Sequence, residues 1–183
     1  MVLGGSRHLQ RVPQNLVELL QEWNDSDVQF LVGDAPGADT AFQQVLKNLG
    51  SKSVTIYTSA GYVRNNLGSW PSREIDSGLQ SKSSAVHAFK DRFMISQADS
   101  GLMLWDCESA GTLSNVIDLV EAGKSCRIWV ALDSELYNFD NQPSLEKWLL
   151  LYPEVTQEAQ KRLKTFRRRE TKRSETGQPA LFE

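Results

Sequence analysis

Short apolar runs alternate with longer stretches whose apolar residues recur at helical spacing. Met1–Leu3, Val28–Val32, Ser53–Tyr57, Gly101–Trp105 and Cys126–Leu132 are compact runs bounded by turn residues, the pattern of buried strands. Between them, Pro13 opens a stretch whose face carries Leu16, Val17, Leu19, Leu20 and Trp23 up to Asn24-Asp25. Ala41, Phe42, Val45, Leu46 and Leu49 mark a second such stretch, stopped at Gly50. Ser84–Gln97 and Thr112–Gly123 read as two more helices. Five strands joined by connections too long for hairpins predict an α/β fold, a mainly parallel five-stranded sheet between helices.

The stretch around which the chain is organised is Ala98–Lys124: a buried strand, a small polar turn from Asp106 to Gly111, and a helix. A strand that delivers such a turn onto a helix N-terminus aims free N–H groups and the positive end of the helix dipole at one spot, which suits a phosphate. Gly4-Gly5-Ser6-Arg7-His8 follows the first strand, and Gly33-Asp34-Ala35-Pro36-Gly37-Ala38-Asp39 follows the second. In a sheet of order 3-2-1-4-5 the turns after strands one and four flank the crevice where strand order reverses, the usual ligand site of open parallel sheets. The first strand is short, so either the sheet begins with a stub or residues precede it.

Thr58–Ser83 shows no sustained periodicity. An insertion of that length is expected to be a lid or binding loop, or else disordered, and Arg64, Asn65, Trp70 and Arg73 give it cationic and aromatic groups. At the C-terminal end, Leu145, Trp148, Leu149 and Leu151 suggest a short packed helix. Pro153 interrupts it, Glu154 to about Lys172 forms a more polar helix, and Ser174–Glu183 reads as disordered. This divides the chain into a ligand-binding domain (1–143), a helical basic extension (144–173) and a flexible tail (174–183).

Composition adds less. With 40% hydrophobic residues in 183 the chain can bury a proper core. No apolar run reaches the roughly 18 residues that span a bilayer, and no basic-then-apolar leader opens the sequence, so no membrane partner and a cytoplasmic location are expected. Cys107 and Cys126 are too few and too far apart for a disulfide framework or a zinc knuckle; they read as reduced thiols, and no metal is expected. The net charge of −3 is unevenly spread: residues 1–143 carry 11 Lys/Arg against 17 Asp/Glu, and residues 144–183 carry 9 against 6. Lys161, Arg162, Lys164, Arg167, Arg168, Arg169, Lys172 and Arg173 make the last helix either a solvated face or a contact for DNA phosphates.

The candidate chemistry centres on the glycine turns. Gly5, Gly33 and Gly37 let backbone approach a ligand. Ser6, Ser109, Ala110, Gly111 and Thr112 offer donors to a phosphate, and Arg7 pairs with phosphate or with a surface carboxylate. His8 serves as acid, base or donor, whereas His87 reads as a helix-surface residue. Asp39 contacts ligand or caps its own helix. Arg64 covers the ligand from the loop, and Lys90 with Asp91 closes the site or lies on a solvated face. Asp106 and Glu108 are the carboxylates nearest the helix turn and the catalytic candidates if there is catalysis.

Gly4-Gly5-Ser6-Arg7, Gly33-x-x-x-Gly37-Ala38-Asp39, Lys90-Asp91-x-x-Met94 and Ser109-x-Gly111-Thr112 together resemble the SLOG superfamily over roughly residues 2–132. These are Rossmann-like three-layer proteins that include DprA, the LOG phosphoribohydrolases and molybdenum-cofactor carriers. The resemblance implies a homo-oligomer that binds a phosphorylated nucleotide or nucleotide-derived ligand, as sensor or carrier, and assigns no certain cofactor beyond it. LOG enzymes carry Pro-Gly-Gly-x-Gly-Thr-x-x-Glu, whose glutamate serves cleavage of an N-glycosidic bond. The matching segment here, Glu108 to Asn115, puts Asn115 at the glutamate position. An amide hydrogen-bonds a ribose hydroxyl but supplies no carboxylate charge, so binding leads and nucleotide N-glycosidic hydrolysis or transfer is the alternative. A third reading is a DNA-associated protein acting through its tail. Its Gln178-Pro179-Ala180-Leu181-Phe182 resembles the Gln-x-x-Leu-Phe peptide by which bacterial replication proteins dock on the sliding clamp.

Overall fold

The computed structural model describes residues 1–59, 61–76 and 84–175. Its core is a sheet of seven strands: β1 (Val2–Gly5), β2 (Phe30–Gly33), β3 (Val54–Thr58), β4 (Ser72–Glu74), β5 (Ser100–Trp105), β6 (Ser125–Val130) and β7 (Glu135–Phe139). The spatial order is β4-β3-β2-β1-β5-β6-β7. All neighbours are parallel except β6 and β7. β1 lies at the centre, with Leu3 opposite Val32 on one side and Leu102 on the other.

The expected five-stranded sheet is therefore corrected to seven. The five strands read from the sequence lie contiguously in the middle, and a strand is added at each edge. β4 was hidden because Ser72, Arg73 and Glu74 are all exposed and carry no apolar alternation. It exists through backbone pairing with β3, and buried Trp70 and Ile75 flank it. β7 returns antiparallel through the turn after Val130, Cys126 facing Phe139. The insertion from Thr58 is thus structured at least to Asp76; Ala60 and residues 77–83 lie outside the described residues.

Side chains alternate across the sheet as the period of two requires. Leu3, Phe30, Val32, Leu102 and Leu104 point to one face, where Leu16 and Leu20 of α1 (Gln14–Asp25) and Phe42 and Leu46 of α2 (Ala38–Asn48) cover them. Val2, Leu31, Met103, Trp105 and Ile128 point to the other. There they meet α3 (Ser84–Gln97), α4 (Ala110–Glu121), α5 (Gln142–Leu149) and α6 (Pro153–Glu175). The architecture is α/β in three layers. Leu145, Trp148, Leu149, Ala159 and Leu163 of the last two helices share one core with α4 and β6.

Boundaries shift by a few residues. α4 begins at Ala110 rather than Thr112, because Ser109 is its N-cap: the Ser109 hydroxyl accepts from the Thr112 N–H at 3.3 Å. β1 extends through Gly4 and Gly5, which pair with Met103 and Leu104. α6 runs to Glu175, past the expected end near Lys172. The Gln178–Phe182 segment lies outside the described residues.

Candidate functional site

Three chain segments leave the sheet side by side at the C-terminal ends of β1, β2 and β5. The loop after β1 is tied to its neighbours by Ser6, which is fully buried. Its N–H donates to the Leu104 carbonyl at 2.9 Å, and its carbonyl accepts from Ala38 at 3.2 Å. The Ser6 hydroxyl donates to Asp106 Oδ1 at 2.9 Å and lies 3.3 Å from Thr112 Oγ1. Gly37 is needed at the same junction. It adopts φ +90°, and a Cβ there would stand 2.3 Å from the Arg7 carbonyl oxygen.

Asp106 organises the turn into α4. Oδ1 accepts from the Glu108 and Ser109 N–H groups at 3.1 and 2.8 Å besides Ser6. Partial burial pulls its pKa upward, but these donors outweigh it and hold the carboxyl below its ordinary value. Oδ2 faces His8 Nδ1 at 3.4 Å, with the His8 ring itself 80% exposed. Cys107, next in the turn, has φ +67°; both cysteines are free thiols.

These loops open onto a cleft of about 570 Å³ between α3 and α4, a size that suits a small-molecule ligand. Its mouth is lined by Gly5, Arg7, His8, Arg64, Asp106 and Glu108, together with Ser109, Ala110, Gly111 and Thr112 at the start of α4. Arg64 is fixed from behind. Its Nε donates to Asp34 Oδ2 at 3.1 Å, and Nη2 bonds Oδ1 at 2.5 Å. Asp34 is fully buried; burial pushes its pKa up, and Arg64 more than reverses the shift. His87 also lines the cleft, contrary to its expected surface position, with Nδ1 3.2 Å from the Ser59 hydroxyl. Burial lowers its pKa, and Arg64, Arg7 and Lys90 lower it further against the opposing charge of Asp91.

The inner end holds a charge cluster. Lys90 is only 3% exposed, with Nζ 3.9 Å from Asp39 Oδ2 and 3.4 Å from Asp91 Oδ1. Burial pulls the Lys90 pKa down, but Asp91, Asp39 and Asp34 outweigh it and keep the ammonium charged. Burial pushes Asp39 up to about 6 despite the Lys90 charge. Gly33 makes room for both: a Cβ there would lie 2.1 Å from Asp39 Oδ2 and 2.5 Å from Lys90 Nζ. Asn115, one turn into α4 and also lining the cleft, donates to Asp91 Oδ2 at 3.4 Å.

The far wall comes from α6. Glu158, Arg162, Leu163 and Phe166 line the cleft. Arg162 pairs with Glu158 at 3.2 Å, and its Nη1 would be 3.6 Å from a methyl placed on Gly111. Arg92 of α3 pairs with Asp118 at 2.9 Å and lies 4.4 Å over the Phe166 ring, its Nε and Nη1 buried without a hydrogen-bond partner among the described residues.

Compared with protein-family models, curated proteins and solved structures, the chain matches none. Its own geometry therefore carries the reading. Gly5, Arg7, His8, Gly33, Asp39, Arg64, Lys90, Asp106, Glu108, Ser109, Ala110, Gly111, Thr112 and Asn115 all reach one cleft. Ser6 and Gly37 stand behind it as the supports of its loops. His87, Arg92, Glu158, Leu163 and Phe166 were not read as binding groups, whereas Asp91 was paired with Lys90 as closing the site or lying on a solvated face, and Arg162 was read as a solvated charge or a contact for DNA phosphates. Among the described residues no group of three His, Cys, Asp or Glu side chains is placed to hold a metal, and no helix is long and apolar enough to cross a membrane.

Proposed function

We propose that the cleft binds a phosphorylated nucleotide or nucleotide-derived ligand, as a sensor or carrier would, in a Rossmann-like domain of SLOG type that forms homo-oligomers. One observation carries the reading: the start of α4, with the N–H groups of Ala110 and Gly111 ahead of the Thr112 cap bond, shares one cleft with Arg7 and Arg162. The helix dipole and two guanidinium groups favour the same charge there.

The N-glycosidase alternative has less behind it. Oδ1 of Asp106 is occupied by three donors, and Glu108 is exposed at the rim. The DNA alternative loses part of its charge to local pairing, since Arg167 bonds Glu121 and faces Asp118. Isothermal titration and thermal shift with nucleoside mono- and diphosphates and inorganic phosphate test the reading. At least one nucleotide should bind, and Arg7→Ala should weaken it about 10-fold, as loss of a charge-assisted phosphate contact does. Absence of any response to phosphorylated nucleotides defeats it.

A further inference from the structure

We infer that Asp91, with Lys90 behind it, forms a sugar subsite that reads the cis-diol of a ribonucleotide; this rests on the nucleotide reading above. Both side chains are under-satisfied where they stand. The Lys90 ammonium is 3% exposed, carries three donors, and among the described residues its nearest carboxylate oxygen is Asp91 Oδ1 at 3.4 Å. Burying such a group without close partners is costly. Asp91 is 34% exposed and lines the cleft, and among the described residues its other partner is the Asn115 amide, also at 3.4 Å. A carboxylate accepts from up to four directions, so most of its capacity faces open cleft. Two adjacent hydroxyls satisfy both groups at once: each O–H donates to Asp91, and a hydroxyl oxygen accepts from Lys90.

The spacing fits a nucleotide. Gly111 marks the anion end of α4 and Asn115 lies four residues further on, which at 1.5 Å per residue is about 6 Å along the helix axis. That is the order of the distance from a 5′-phosphate to the ribose hydroxyls. A phosphate seated at Gly111 thus leaves its sugar beside Asn115 and Asp91. Two glycines, Gly4 and Gly33, line the cleft beside this cluster, and the Cβ that Gly33 lacks would strike Lys90 and Asp39. Asp39, the other carboxylate facing Lys90, is turned away from this role: its Oδ2 accepts from the Ala35 N–H at 3.2 Å and it is buried.

The test compares AMP, GMP, CMP and UMP with their 2′-deoxy counterparts by isothermal titration against wild type, Asp91→Ala, Asp91→Asn and Arg7→Ala. Wild type should prefer the ribo form of its best ligand by about 10-fold or more, the scale of a hydrogen bond to a charged group. Both Asp91 variants should lose that preference, with deoxynucleotide affinity changed less than about 3-fold. Arg7→Ala should weaken both forms equally. Asp91→Asn preserves shape, so a folding defect in Asp91→Ala leaves the comparison intact. Equal binding of ribo and deoxy forms by wild type overturns the inference while leaving the nucleotide reading standing. So does an Asp91→Asn variant that keeps the preference. If none of the eight nucleotides and no nucleoside diphosphate binds, the nucleotide reading and the subsite fall together.

Discussion

Asp39 and Lys90 show how one missing side chain sets the chemistry of a pocket. Gly33 leaves the space into which the buried carboxyl and ammonium pack, and burial then raises the Asp39 pKa to about 6. A carboxyl raised above its unfolded value of about 3.9 favours the folded state most below that value, and this contribution is lost as pH rises through about 6. Asp34 and Asp106 are lowered, so their contribution runs the other way and disappears in acid. The Asp39 side-chain carbon, followed by NMR, should titrate near 6. In Lys90→Met the midpoint should move higher, because the neighbouring cation that favours ionisation is gone. Between pH 4 and 7 the stability of wild type should fall relative to Asp39→Asn, measured by urea unfolding at each pH.

At the scale of elements, the last two helices are fastened by aromatic rings. Trp148 of α5 lies 5.5 Å from Trp105 on β5, 5.2 Å from Phe139 on β7 and 4.9 Å from Tyr152 just before α6. It is 7% exposed and so joins sheet, hairpin and helices in one cluster. Trp148→Ala should cost about 3–5 kcal/mol in chemical denaturation, with no direct effect on groups lining the cleft. The helix α4 that these rings help to seat is itself nearly surrounded: Leu113, Val116 and Leu119 are buried, and the Ser114 hydroxyl reaches the Ala159 carbonyl of α6 at 3.2 Å. The element that presents the proposed phosphate cradle is thus held from three sides.

For the molecule as a whole, α6 is wall as well as basic helix. Its Ala159 and Leu163 are buried against α4, while Arg162 and Phe166 face the cleft. Arg162→Ala should weaken nucleotide binding about 2- to 5-fold, the scale of an ion contact at a half-exposed site, with little change in Tm. Removing residues 153–183 should abolish binding and lower Tm as well, since it uncovers the apolar face of α4. A truncated chain that keeps full affinity would place α6 outside the site.

The sequence by itself determined the parts that depend on neighbours along the chain. Apolar runs of three to seven residues gave the buried strands, the 3.6-residue recurrence gave the helices, and glycine turns after β1, β2 and β5 marked the rim of the cleft. Only the tertiary structure decided what distant residues do together. β4 was silent because backbone pairing at an exposed edge leaves no hydrophobic pattern. His87 became a cleft residue because α3 lies against α4 at that point. Arg162, read as tail charge, lies beside Gly111 because α6 packs back onto α4, 51 positions further along the chain. Periodicity records which side of an element is covered, but not which element covers it, so the partners of each charged group become legible only when the layers are assembled.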